Sequence, residues 1–118
     1  MVEARERLEA AGALLERGLL GAAVSDAYYA ILYAARAALS EHDQNARTPS
    51  GTWSLFHAKF VAGGSFDPEL AREARATQES REGVDYAAAR VSSEEAARIV
   101  HVAQRFVAAV DAAIRKSA

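Results

Sequence analysis

Apolar residues recur at three- and four-residue steps along four separate stretches of this chain, and no stretch alternates with the period of two that a half-buried strand needs. That pattern confines the chain to helices that each bury a stripe. Ala4, Leu8, Ala11, Leu15 and Leu19 predict a first helix from Val2 to Arg17, with Gly18 and Gly21 bracketing a tight connection. A second, from Ala22 to Glu41, sets Leu20, Val24, Ala27, Ile31, Ala35 and Ala38 on one face. Its opposite face carries Asp26, Tyr29, Tyr33, Arg36 and Ser40. The polar run from His42 to Gly51, with Pro49 inside it, reads as the longest loop. A short helix from Thr52 to Ala62 aligns Trp53, Phe56 and Phe60, as a plug for one end of the molecule, and Gly63-Gly64 stops it. Asp67-Pro68-Glu69 supplies a cap, a preset φ and a dipole-matched acid for a helix running to about Ala89. Its inward stripe is Leu70, Ala74, Thr77, Arg81, Val84 and Ala88, in which an arginine is out of place. Ser92 and Glu95 form a capping box, with Glu95 reaching back. The last helix then runs to about Lys116 on Ala96, Ile99, Ala103, Phe106, Val110 and Ala113.

Four long helices and one short one, joined mostly by short connections, imply an all-α fold: an antiparallel up-and-down helical bundle, one domain over 1–118. Composition agrees. Hydrophobic residues make up 51% of the chain, much of it alanine, the best helix former, and only two prolines interrupt it. Asp26 and Arg36 make the apolar run from Leu19 to Leu39 a buried central helix rather than a membrane span. The absence of cysteine excludes disulfides and thiolate metal sites and suits a reducing compartment. With Glu3, Arg5, Glu6 and Arg7 in place of an apolar leader, a cytoplasmic location is expected. A net charge of −2 excludes a wholesale electrostatic nucleic-acid binder and leaves room for a local basic patch.

No Gly-rich phosphate loop or nucleophile elbow is present, and His42, His57 and His101 lack metal-ligand spacing, so no metal and no cofactor is expected. Three constellations remain. Arg81 and Asp85 lie one helical turn apart and Tyr86 follows, so a guanidinium beside a carboxylate and a phenol can grip a phosphate; the same residues can serve as an ion pair that fixes packing. Asp26, Tyr29, Tyr33 and Arg36 form either a recognition or dimer interface or a polar seam between helices with satisfied hydroxyls. The loop with His42, Arg47 and Ser50 can reach a ligand or can be a solvated connection, and His57 reads as a surface group. Arg72, Arg75 and Arg81 alternate with Glu69, Glu73, Glu79 and Glu82, the pattern of a solvated face.

Several segments together resemble the HEPN family in its small stand-alone branch. They are Ser25-Asp26-Ala27-Tyr28-Tyr29 continuing to Leu39, then Ser54-Leu55-Phe56 with Phe60 to Gly64, then Arg81 to Tyr86, then Phe106-Val107. The resemblance covers nearly the whole chain in order. It implies a five-helix bundle, a homodimer and a minimal nucleotidyltransferase partner in a toxin–antitoxin-like pair. It also implies nucleotide or RNA phosphate bound near Arg81 and Tyr86. Ribonuclease members of the family carry an Arg followed four to six residues later by a His, in a cleft between two subunits. Here no His follows Arg81 within six residues, and Pro49 stands where a His often precedes the short helix. A metal-independent endoribonuclease using Arg81 with Asp85 or Tyr86 is the alternative, although a carboxylate beside a guanidinium is a weak base. A non-catalytic helical dimerisation or adaptor module is the third reading.

Overall fold

The computed structural model describes residues 1–86 and 91–117, and of 83–86 and 117 the backbone alone. Among them are the helices α1 (Val2–Glu16), α2 (Leu20–Ser40), α3 (Pro49–Phe56), α4 (Pro68–Tyr86) and α5 (Ser93–Ser117), and no strand. The helix α2 is central. Its small side chains, Ala23, Ala27, Ala30, Ala34 and Ala35, are all fully buried, and α1, α3, α4 and α5 all pack against it. Alanine-lined faces let helix axes approach closely, which is how a chain poor in bulky residues closes its core. The charged residues at 26 and 36 sit half-buried at its margin. No helix among the described residues is long and apolar enough to cross a membrane.

The turn from α1 to α2 is tighter than the sequence suggests. Gly18 takes φ +74°, its N–H donates to Leu15 O at 3.0 Å, and the Leu19 N–H donates to Leu14 O at 2.9 Å. This pair of bonds closes the helix on a left-handed residue. Gly21, expected in the connection, instead lies in the first turn of α2, where backbone N–H groups lack helical partners anyway. Gly18→Ala is expected to lower stability by about 1–2 kcal/mol, the cost of a Cβ in the left-handed region, read from urea denaturation.

The expected loop from His42 to Gly51 is shorter than it looked. The helix α3 begins at Pro49, because the Thr48 side chain accepts the Gly51 N–H at 3.0 Å and Pro49 presets the first turn. This is the same cap-then-proline signal that opens α4, where Asp67 Oδ1 accepts from the Glu69 N–H at 3.0 Å. The chain leaves α3 through a π-helical turn, His57–Val61, and stops at Gly63-Gly64. A Cβ on Gly63 would stand 2.8 Å from Lys59 O, so that position admits no side chain without a shift. The predicted plug forms: Trp53, Phe56 and Phe60 join Phe66 and Phe106, with Phe56 5.5 Å from Phe106 and 5.1 Å from Phe66, ring centre to ring centre.

At α5 the Ser92 side chain accepts the Glu95 N–H at 3.1 Å, as a cap should. Glu95 does not reach back; its carboxylate takes two hydrogen bonds from Arg98, at 3.0 and 2.7 Å, and these hold it below the usual glutamate range. A guanidinium one turn away outcompetes a single backbone N–H. The α5 stripe is buried as expected from Ala96 through Val110. The helix α4 is described as far as Tyr86, so its expected extension toward Ala89, with Ala88, lies outside the described residues.

Candidate functional site

The helical spacing that buries Leu70, Ala74 and Thr77 carries Arg81 onto the same inward stripe. Thr77 is satisfied locally, its hydroxyl donating to Ala74 O at 2.6 Å. Arg81 reaches across to α2. Its Nη2 donates to Tyr29 Oη at 2.9 Å, and its guanidinium carbon stands 5.5 Å from the Tyr28 ring centre and 5.2 Å from that of Tyr29. A planar cation against two tyrosine faces is a cation–π arrangement, and it holds the fork in one orientation. Tyr28 is 2% exposed; burial pushes its hydroxyl up from the ordinary tyrosine value, and Arg81 pulls partly the other way, so the phenol stays neutral.

A second guanidinium arrives from α1. Arg7 pairs with Asp26 at 2.9 Å and stands 5.3 Å from the Tyr29 ring centre and 5.9 Å from that of Tyr33. The hydrogen bond to Asp26 raises the Arg7 pKa above its usual value, so it is a fixed positive charge. Farther along α2, the Arg36 Nε donates to Thr52 Oγ1 at 3.3 Å, and that hydroxyl donates to Thr48 O at 2.9 Å. The four residues of the expected interface stripe, Asp26, Tyr29, Tyr33 and Arg36, are half-buried; Asp26, Tyr29 and Arg36 hydrogen-bond to α1, α4 and α3 in turn, and Tyr33 lies under Arg7 of α1. Beside Tyr33 and Arg36 a cavity of about 440 Å³ opens toward Met1, Glu3 and Ala4.

One member of the first constellation, Arg81, therefore joins the second. Arg81 from α4 and the tyrosine stripe of α2 touch, with Arg7 and Tyr28 as members that the sequence reading missed. Tyr28 had a signal, its place beside Tyr29; Arg7, one of several arginines among glutamates in α1, had none. The side chains of Asp85 and Tyr86 lie outside the described residues. The third candidate does not join the site: His42 packs on Phe60 with ring centres 5.4 Å apart, and Arg47, Ser50 and His57 are exposed. No group of metal-ligating side chains occurs among the described residues. Along α4, Arg72 pairs with Glu69, and Glu73 pairs with Arg105 of α5 at 3.1 Å, a solvated face as the charge pattern implied for Arg72 and Arg75, whereas Arg81, expected on it as well, turns into the seam with α2.

Comparison with known proteins gives a consistent result. The family model described as HEPN domain matches residues 1–113. A protein of Methanocaldococcus jannaschii named "Putative toxin" is 32% identical over 113 residues, covering 96% of this chain and 84% of its own. A protein of Gloeobacter violaceus named "UPF0332 protein" is 32% identical over 117 residues, covering 92% of this chain and 93% of its own.

Proposed function

This chain belongs to the HEPN domain family, and on that premise we propose that it is the HEPN half of a toxin–antitoxin-like pair. In this reading it binds a nucleotide or RNA phosphate at Arg81 and works with a minimal nucleotidyltransferase as partner. Two copies form a homodimer, and Arg81 and Tyr86 of each face a shared groove, bordered by the exposed parts of Tyr29, Tyr33 and Arg36. The observation that carries the reading is the hold on Arg81: a half-buried guanidinium fixed by Tyr29 Oη at 2.9 Å and backed by two tyrosine rings. A guanidinium oriented in advance pays less entropy on gripping an anion, and its planar fork matches phosphate bidentately. A second cation nearby, Arg7, strengthens the local positive field despite the chain's net charge of −2.

The test has two parts. The adjacent gene should encode a nucleotidyltransferase whose co-expression with this chain yields a complex that survives purification, and light scattering should give a dimer mass for the chain alone. A monomer that captures neither partner nor RNA overturns the reading. The relative named as a toxin supports a second reading, in which the same site cleaves RNA without a metal, using Arg81 with Asp85 or Tyr86. Under it, RNA incubated with the protein in the presence of a chelator is cut, and Arg81→Met stops the cutting. Intact RNA at high protein concentration leaves phosphate binding alone.

A further inference from the structure

We propose that the phosphate site at Arg81 continues along α2 to Arg36, so that its ligand is a single-stranded RNA of several nucleotides and not a lone nucleotide. This rests on the reading of Arg81 and extends it. Tyr29, Tyr33 and Arg36 follow at four- and three-residue steps on one face of α2, and the two rings stand 5.8 Å apart, centre to centre. Arg81 lies against the first ring and Arg7 against both. Guanidiniums interleaved with aromatic rings in a row are the composition of a surface that tracks a single strand. Arg7 is paired with Asp26, so it lines the path without adding a free charge.

Arg36 ends the row, and its surroundings select what it meets. Thr52 is fully buried; its hydroxyl accepts from the Arg36 Nε at 3.3 Å and donates to Thr48 O at 2.9 Å. The guanidinium is thus held through Nε. Its two terminal nitrogens have no hydrogen bond or ion pair among the described residues and are not sealed from solvent. A fork open at both prongs suits two oxygens of one phosphate. It borders the cavity of about 440 Å³ beside Tyr33, whose walls also carry Ser40, Glu3 and Glu41. Two carboxylates against one guanidinium disfavour a phosphomonoester, which carries close to two charges. They suit the single charge of a phosphodiester, whose neighbouring sugar hydroxyls and base amino groups can donate to them. Only a position inside a chain offers that group. From Tyr29 to Arg36 the helix rises about 10 Å, at about 1.5 Å per residue. A stacked strand advances about 3.4 Å per nucleotide, so about three steps separate a phosphate at Arg81 from one at Arg36.

Equilibrium dialysis of the full chain against uridine monophosphate and against tetrauridylate with a terminal phosphate tests this. Tetrauridylate should bind at least about tenfold more tightly, the equivalent of one more charge-assisted contact. Arg36→Gln should remove that advantage and leave uridine monophosphate as it was. Thr52→Ser keeps the hydroxyl and should keep the advantage, while Thr52→Val, which cannot hold the Nε, should lose part of it. Arg36→Lys keeps the charge but gives up the fork, and should also lose part; it decides alone should Arg36→Gln not fold. The proposal is overturned if the two ligands bind alike, or if the Arg36 variants bind tetrauridylate as the unaltered chain does. In either case the reading of Arg81 stands as long as Arg81→Met weakens both ligands. If Arg81→Met weakens neither, that reading falls and the proposal with it. An Arg36→Gln chain that turns monomeric while holding tetrauridylate unchanged assigns the cavity to the contact between two copies, and this also overturns the proposal.

Discussion

Phe106→Ala is expected to lower the unfolding free energy by about 3–5 kcal/mol, a large share of the roughly 5–15 kcal/mol that a domain of this kind has in hand. Phe106 is fully buried, and its ring meets Trp53 at 5.9 Å, Phe56 at 5.5 Å and Phe66 at 5.4 Å between centres. These four rings come from α5, α3 and the segment before α4, so one truncation loosens three parts of the chain. The neighbouring rings are held against one another, Trp53 on Phe56 and Phe56 on Phe66, which limits how far they can swing into the hole, so the cavity term stays large. Phe106→Leu keeps most of the volume and should cost about 1.5 kcal/mol or less. Phe60→Ala is the internal comparison. That ring is 6% exposed at the edge of the cluster and should cost less than Phe106→Ala. Urea titrations followed by helical circular dichroism, with Trp53 fluorescence as the probe of the cluster, measure all three. If Phe60→Ala costs as much as Phe106→Ala, the plug is not centred on Phe106.

Where the sequence was legible, local rules coincided with the tertiary answer. Asp67-Pro68, Ser92 and Gly18 act where they stand, and the stripe from Ala96 to Val110 is buried as its spacing demands. Where it misled, two local signals competed. Thr48-Pro49-Ser50-Gly51 holds loop residues and a helix start at once, and the hydrogen bond from the Gly51 N–H to Thr48 decides for the helix. Glu95 had a choice between the backbone and Arg98, and charge decided. The site was legible only in halves. Spacing marks Arg81 as out of place on its stripe and groups Tyr29 with Tyr33, but the residue numbers 29 and 81 carry no sign that the two side chains meet. That contact depends on how α4 lies on α2, which periodicity within either helix does not encode. Arg7 is harder still, since its partner Asp26 lies 19 residues away on the next helix and Arg7 does not depart from the charge pattern around it.

The Arg81–Tyr29 contact gives the second large effect. Tyr29→Phe, Arg81→Met and the double variant form a thermodynamic cycle that should return a coupling of about 1–3 kcal/mol, the range for a hydrogen bond to a charged group that is partly shielded from water. Methionine keeps an unbranched stem in the seam, so the cycle reads the guanidinium rather than a packing defect. The same variants separate holding from binding. Arg81→Met removes the group that would meet phosphate, and affinity for a short single-stranded RNA should fall by about 10- to 100-fold, the equivalent of one charge-assisted contact. The plot of log K against log salt should flatten by about 0.7, one phosphate's worth for a single strand. Tyr29→Phe leaves the charge in place and only loosens it, so the salt slope should stay as it is while affinity drops by a smaller factor. The pattern is distinctive because a structural role and a binding role move different quantities. A coupling near zero means that Tyr29 does not orient Arg81. An unchanged salt slope in Arg81→Met means that the guanidinium stabilises the seam between α2 and α4 and meets no phosphate.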